Sequence, residues 1–161
     1  MKLIGIARAA AAATAALVGV APRADHATPC RVSLPEIRTD ASFGPRGFNY
    51  GTTKLRAQLW KGGQLRAGIL ADGGSMATIN DDGSIDAKQG WWRGVAGKLR
   101  ISGRRIDGTA PPLRAHVPSG YGAKGFTPSG LTFPTTGCWK VTGTVGRAQL
   151  SYVVIVTKLQ G

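Results

Sequence analysis

The stretch PSGLTFPTTGCWKVTGTVGRAQLSYVVIVTK, residues 128–158, reads as two adjacent β-strands joined by a glycine turn, with no helical period. Trp139, Val141, Gly143 and Val145 fall on alternate positions, and Lys140, Thr142 and Thr144 fill the gaps. That is the period of a half-buried strand, with Trp139 turned inward. Beyond the turn at Gly146-Arg147, Leu150, Tyr152, Val154 and Val156 share one face, while Val153 and Ile155 make the other face apolar too. A strand apolar on both faces lies at the centre of a sheet or is covered on both sides. The tandem has the pattern of the last two strands of an immunoglobulin-like β-sandwich.

Upstream of this pair, strand signals recur at roughly ten-residue intervals, the spacing of an all-β sandwich or barrel. Lys54 to Trp60 and Gln64 to Leu70 flank Lys61-Gly62-Gly63, a hairpin signal, with Leu55, Ala57 and Leu59 on one face of the first arm. Asp72-Gly73-Gly74 and Asp81-Asp82-Gly83 mark further turns, and Gly90-Trp91-Trp92 starts a strand. Lys98 to Ile101 alternates, as do Leu113, Ala115 and Val117 before Pro118. Arg31 to Gly51, with prolines, glycines and few periodic apolar positions, predicts an irregular wrap. The expected organisation is a signal peptide over residues 1–27, the wrap over 28–53 and a single immunoglobulin-like β-sandwich over 54–161.

Met1-Lys2 and Arg8 precede an apolar run from Ala9 to Ala21 that Pro22-Arg23-Ala24-Asp25 ends. A positive start, an apolar centre and small residues before a cut at Ala24 or Ala27 mark an export signal. The run is shorter than the about 20 apolar residues of a membrane-spanning helix. The expected product is exported, extracellular or in the periplasm or cell envelope, with no transmembrane anchor. Removing residues 1–27 takes away three of 21 basic and one of eight acidic residues, leaving 134 residues with net charge +11. That length supports one core and one domain. Outside the cytoplasm, Cys30 and Cys138 are expected to pair. Because Cys138 alternates with Trp139, the bridge would tie the N-terminal segment to the outside of the strand, with a stabilisation of about 4–5 kcal/mol in the chain-entropy model.

Catalytic chemistry is poorly provided for. His116 is the only histidine after residue 27 and Glu36 the only glutamate in the chain, so no two-histidine metal site, Ser/His/Asp triad or paired-carboxylate glycosidase is spelled out. Gly120 to Gly125 has the letters of a dinucleotide fingerprint but no helix to follow it, and reads as a loop. Asn80 to Asp86 lacks the opening aspartate and closing glutamate of a calcium loop and reads as a hairpin turn. No catalytic residue, metal or cofactor is expected.

The runs Trp91-Trp92-Arg93-Gly94-Val95, Gly97-Lys98-Leu99, Ala110-Pro111-Pro112-Leu113-Arg114-Ala115, Phe133-Pro134 and Gly137-Cys138-Trp139 resemble a group of uncharacterised exported bacterial proteins. The resemblance extends well over residues 91–157 and loosely over 30–90. It implies an immunoglobulin-like extracytoplasmic domain and no particular activity. Here Lys140 and Arg147 stand where acidic residues are common in that group.

Two sets of residues are candidate binding determinants. Adjacent residues on a strand face opposite ways, so one of Trp91 and Trp92 fills the core and the other is free to stack on a sugar or partner, unless the wrap covers it. Arg93, Lys98, Arg100, Arg104, Arg105 and Arg114 partly alternate with apolar residues, which predicts a shared basic solvent face. Such a face attracts anionic polymers or simply keeps the protein soluble. Nucleic acid is not the expected partner, since the chain is read as exported and its aromatics are not interleaved with basic residues as a stacking platform requires. The expected role is non-catalytic: an envelope module holding an anionic polymer or another exported protein. A carbohydrate-binding module using an exposed tryptophan is the alternative, and a hydrolase around His116 and Asp107 the remote one.

Overall fold

A computed structural model describes residues 29–36, 47–68 and 77–159. The expected signal peptide and the Asp72-Gly73-Gly74 turn lie outside the described residues. The strands are β1 (Tyr50–Gly51), β2 (Leu55–Ala57), β3 (Gln64–Ala67), β4 (Ala77–Ile79), β5 (Ile85–Arg93), β6 (Arg100–Arg105), β7 (Arg114–His116), β8 (Gly125–Phe133), β9 (Gly137–Val145) and β10 (Ala148–Lys158). They form a six-stranded sheet in the order β1-β2-β5-β8-β7, with β4 also on β5, and a four-stranded sheet in the order β3-β10-β9-β6. The chain is therefore all-β, built from two packed sheets.

The β9–β10 pair is the antiparallel hairpin its alternation predicts, with Ala148 opposite Val145 across Gly146-Arg147. Trp139, Val141 and Val145 from β9 and Tyr152, Val154 and Val156 from β10 are buried between the sheets. Strand β10 is central, flanked by β9 and by a parallel β3. Its outward residues Val153 and Ile155 are half-buried.

The Lys61-Gly62-Gly63 segment does not close the expected hairpin. It is a single 3-10 turn that carries the chain from β2 in one sheet to β3 in the other. Leu55 and Ala57 on one side of it, and Leu65 and Ala67 on the other, bury into the same core from opposite sheets. The gain in buried apolar surface decides the course, and the same glycines serve either geometry. Strand β5 also begins earlier than expected, at Ile85, so Trp91 and Trp92 lie near its end. The expected alternation at 113–117 holds for buried Leu113 but not for Ala115, because all three residues of edge strand β7 are exposed.

Trp91 crosses from β5 to stand on Gly143 of β9, where an added Cβ would lie 2.5 Å from the indole Cζ3. This explains a glycine in an inward row that otherwise reads Trp, Val, Val: the indole occupies the volume of the missing side chain. Around it a polar chain is fully buried. Trp91 Nε1 donates to Ser129 Oγ at 3.2 Å, Ser129 Oγ donates to the Gln89 carbonyl, and the Tyr152 hydroxyl donates to Gln89 Oε1 at 2.8 Å. Burial pushes the Tyr152 phenol far above its usual range despite the opposing Gln89 hydrogen bond, so the hydroxyl stays neutral.

Cys30 and Cys138 form the expected disulfide, with Cα atoms 5.6 Å apart. Ser33 then borders the edge of β10, its amide donating to the Val153 carbonyl at 2.8 Å and its Oγ accepting from the Val153 amide at 2.9 Å. The described parts of the wrap hold only the two residues of β1 as strand.

Candidate functional site

The outer face of the four-stranded sheet follows from register. Arg100 pairs with Thr144, Ser102 with Thr142 and Arg104 with Lys140, and partners across antiparallel strands point to the same side. Since Trp139 and Val141 point inward, Lys140 and Thr142 point outward and carry Arg104 and Ser102 with them. Arg66 of β3, exposed and alternating with buried Leu65 and Ala67, extends this face to the far edge. Its guanidinium donates to Gln64 Oε1 at 2.9 Å.

Strands β3, β6, β9 and β10 contain no aspartate or glutamate. Arg104 and Lys140 are both exposed and stand directly opposite each other. Like charges so placed destabilise a sheet, by up to about 1 kcal/mol in cross-strand pairs. Between them runs a shallow groove of about 320 Å³ lined by Ser102, Gly103, Arg104, Lys140 and Thr142. The Thr142 and Ser151 hydroxyls, 2.7 Å apart, lie in the middle of this face. The set can neutralise and hydrogen-bond an anion and contains no nucleophile with an adjacent base.

The six cations expected to share one face divide into five places. Lys98, Arg100 and Arg104 are exposed, and the last two belong to the face just described. Arg93 is buried: it points inward on β5 and donates to the Gly97 and Gly122 carbonyls, fastening two loops at one end of the sandwich. Arg105 takes the inward side of β6 in register with Trp139 and pairs with Asp107 at 2.7 Å. Burial works to raise the Asp107 carboxyl, but hydrogen bonds from Arg105 and the Cys138 amide outweigh it and hold the group below its ordinary value. Arg114 lies on the other sheet. Period-two alternation assigns sides within a strand and is silent on which strands neighbour each other, so Lys140 and Arg66 could be recognised as outward but not as members of this cluster.

The tryptophans separate as strand geometry requires. Trp91 is wholly buried, and half-buried Trp92 lies on the outer face of the six-stranded sheet. There Phe48 of the wrap packs against Trp92 and Phe126 with ring centroids 6.0 Å apart in each case. Wrap and core together thus cover much of the pair. His116 sits on β7 of that sheet, while Asp107 is engaged by Arg105 beyond the end of β6. Among the described residues, no three His, Cys, Asp or Glu side chains are placed to hold a metal ion. Among them also, no helix is long and apolar enough to cross a membrane.

The architecture defines a disulfide-tethered β-sandwich whose four-stranded sheet has no carboxylate in its described strands. Its sequence and fold match no protein-family model, no curated protein and no solved structure.

Proposed function

We propose that the protein is an exported immunoglobulin-like module that holds an anionic polymer of the cell envelope on the outer face of its four-stranded sheet, without catalysis. The observation that carries this reading is the Arg104–Lys140 pair, two like charges in register on strands devoid of carboxylates. A polyanion laid along the groove removes their repulsion and adds charge-assisted hydrogen bonds. The immunoglobulin-like assignment is supported by the orders β2-β5-β8-β7 and β3-β10-β9-β6, which correspond to A-B-E-D and G-F-C sheets with the first strand split between them. Export is supported by the Cys30–Cys138 bridge, a bond of oxidising compartments, and by the signal-like N-terminal sequence.

The test is binding of the oxidised protein to isolated envelope fractions across a salt series. Retention falls steeply with salt, and the double substitution Arg104→Glu, Lys140→Glu weakens it about tenfold or more at low salt. Retention indifferent to both salt and charge reversal rules the reading out.

A further inference from the structure

The opposite surface of the sandwich carries a second, differently built concavity. Across the outer face of the six-stranded sheet, register sets Thr78, Asp86, Thr132 and Arg114 in one row and Lys88, Gly130 and His116 in the next. These residues line a groove of about 610 Å³. Gly130 forms its floor, and a Cβ built there would meet nothing within 4 Å. The bare floor between Lys88 and His116 is therefore open space for a ligand. Asp86 Oδ1 accepts from Thr132 Oγ1 at 2.6 Å, which fixes the carboxylate against β8, with Arg114 on the far side of Thr132, and leaves Oδ2 as a hydrogen-bond acceptor.

Four residues along the same two strands, about 13 Å away at ordinary strand rise, the face becomes aromatic. Trp92 and Phe126 are register partners there. Tyr121 packs edge-on to Phe126 at 5.9 Å, and both residues remain 45% exposed. An isolated apolar patch would suit many partners, and an isolated cationic groove many anions. Both on one face, in line along β8 past half-buried Pro128 while Phe48 and Gln58 cover Gly90 of β5, specify a ligand with flat apolar faces, several hydroxyls and negative charge.

We propose that this face binds an acidic oligosaccharide along β8, one sugar stacking on Phe126 and Tyr121 and an acidic group meeting Lys88, Arg114 and His116 above Gly130. Asp86, Thr78 and Thr132 take hydroxyls. The site shares no residue with the Arg104–Lys140 face, so either assignment stands or falls without the other.

The experiment is an NMR titration of the ¹⁵N-labelled oxidised protein with a hyaluronan hexasaccharide, and in parallel with neutral chitohexaose. Saturable shifts are expected at Lys88, Trp92, His116, Phe126 and Gly130, with the neutral sugar at least about fivefold weaker. Gly130→Gln places its Cβ in open space and fills the floor with its side chain, so it abolishes binding with the fold retained, and Phe126→Ala weakens it. The Arg104→Ser, Lys140→Ser double variant retains these shifts. Shifts confined to Arg100, Arg104 and Lys140, equal affinity for the two sugars, no saturation, or full binding by Gly130→Gln each overturns the proposal.

Discussion

Tyr152 shows how much a single buried hydroxyl does in a core this small. It packs against Trp91 with ring centroids 6.1 Å apart and donates to Oε1 of buried Gln89. Tyr152→Phe keeps the ring and strands that acceptor, so stability measured by denaturant is expected to drop by about 1–3 kcal/mol with an unchanged m-value. An unaltered midpoint would mean that another donor reaches Gln89. Asp107 makes a pH-dependent contribution of known sign. Its folded-state value lies below the ordinary 3.8, so the contribution is complete above that pH and is lost as pH falls through the folded value. Asp107→Asn is expected to cost on the order of 1 kcal/mol near neutral pH. The gap from wild type should then narrow below pH 3.8 in parallel thermal melts, and a gap that widens in acid contradicts the assignment. At this scale the sequence is a good guide to direction and a poor one to surroundings. Inward Trp139 and outward Lys140 follow from alternation alone, whereas Arg93 sits in the inward row of β5, buried, with two loop carbonyls, from Gly97 and Gly122, accepting from its terminal nitrogens. Those carbonyls come from segments whose meeting no local pattern encodes.

Among elements, the N-terminal segment is the one most dependent on a covalent tie. Pro29 to Glu36 forms no strand, yet Ser33 engages the edge of β10 and Cys30 is bonded to the outside of β9. The pairing was legible because two cysteines in an exported-looking chain leave a single intramolecular choice, and the side of attachment was legible from the Trp139 alternation. The double variant Cys30→Ser, Cys138→Ser is expected to lose up to about 4–5 kcal/mol in chemical denaturation, while the β9–β10 hairpin persists because its apolar rows do not depend on the bridge. A loss below about 1 kcal/mol would show that Ser33 and its neighbours hold the segment without help. The Lys61-Gly62-Gly63 turn illustrates the opposite case. Turn chemistry specifies that the chain reverses or bends, and long-range burial of Leu65 and Ala67 beside β10 chooses between a hairpin and a passage to the other sheet.

For the whole molecule, the strong positive charge is distributed unevenly, which net charge alone does not convey. Four described strands carry cations and no carboxylates, while Asp81, Asp82 and Asp86 gather around the β4–β5 hairpin. The two outer faces are therefore chemically distinct, one a basic groove of polar side chains and the other a glycine-floored groove leading to aromatic rings. The central claim is that the first of them is an anion-binding surface, and fluorescence anisotropy of labelled inorganic polyphosphate over a salt series tests it most directly. Affinity is expected to decline with salt, Arg104→Ser with Lys140→Ser to weaken binding and flatten the log affinity against log salt slope, and Arg114→Ala on the opposite sheet to leave both unchanged. Equal affinity and equal slope for wild type and the double variant would contradict it.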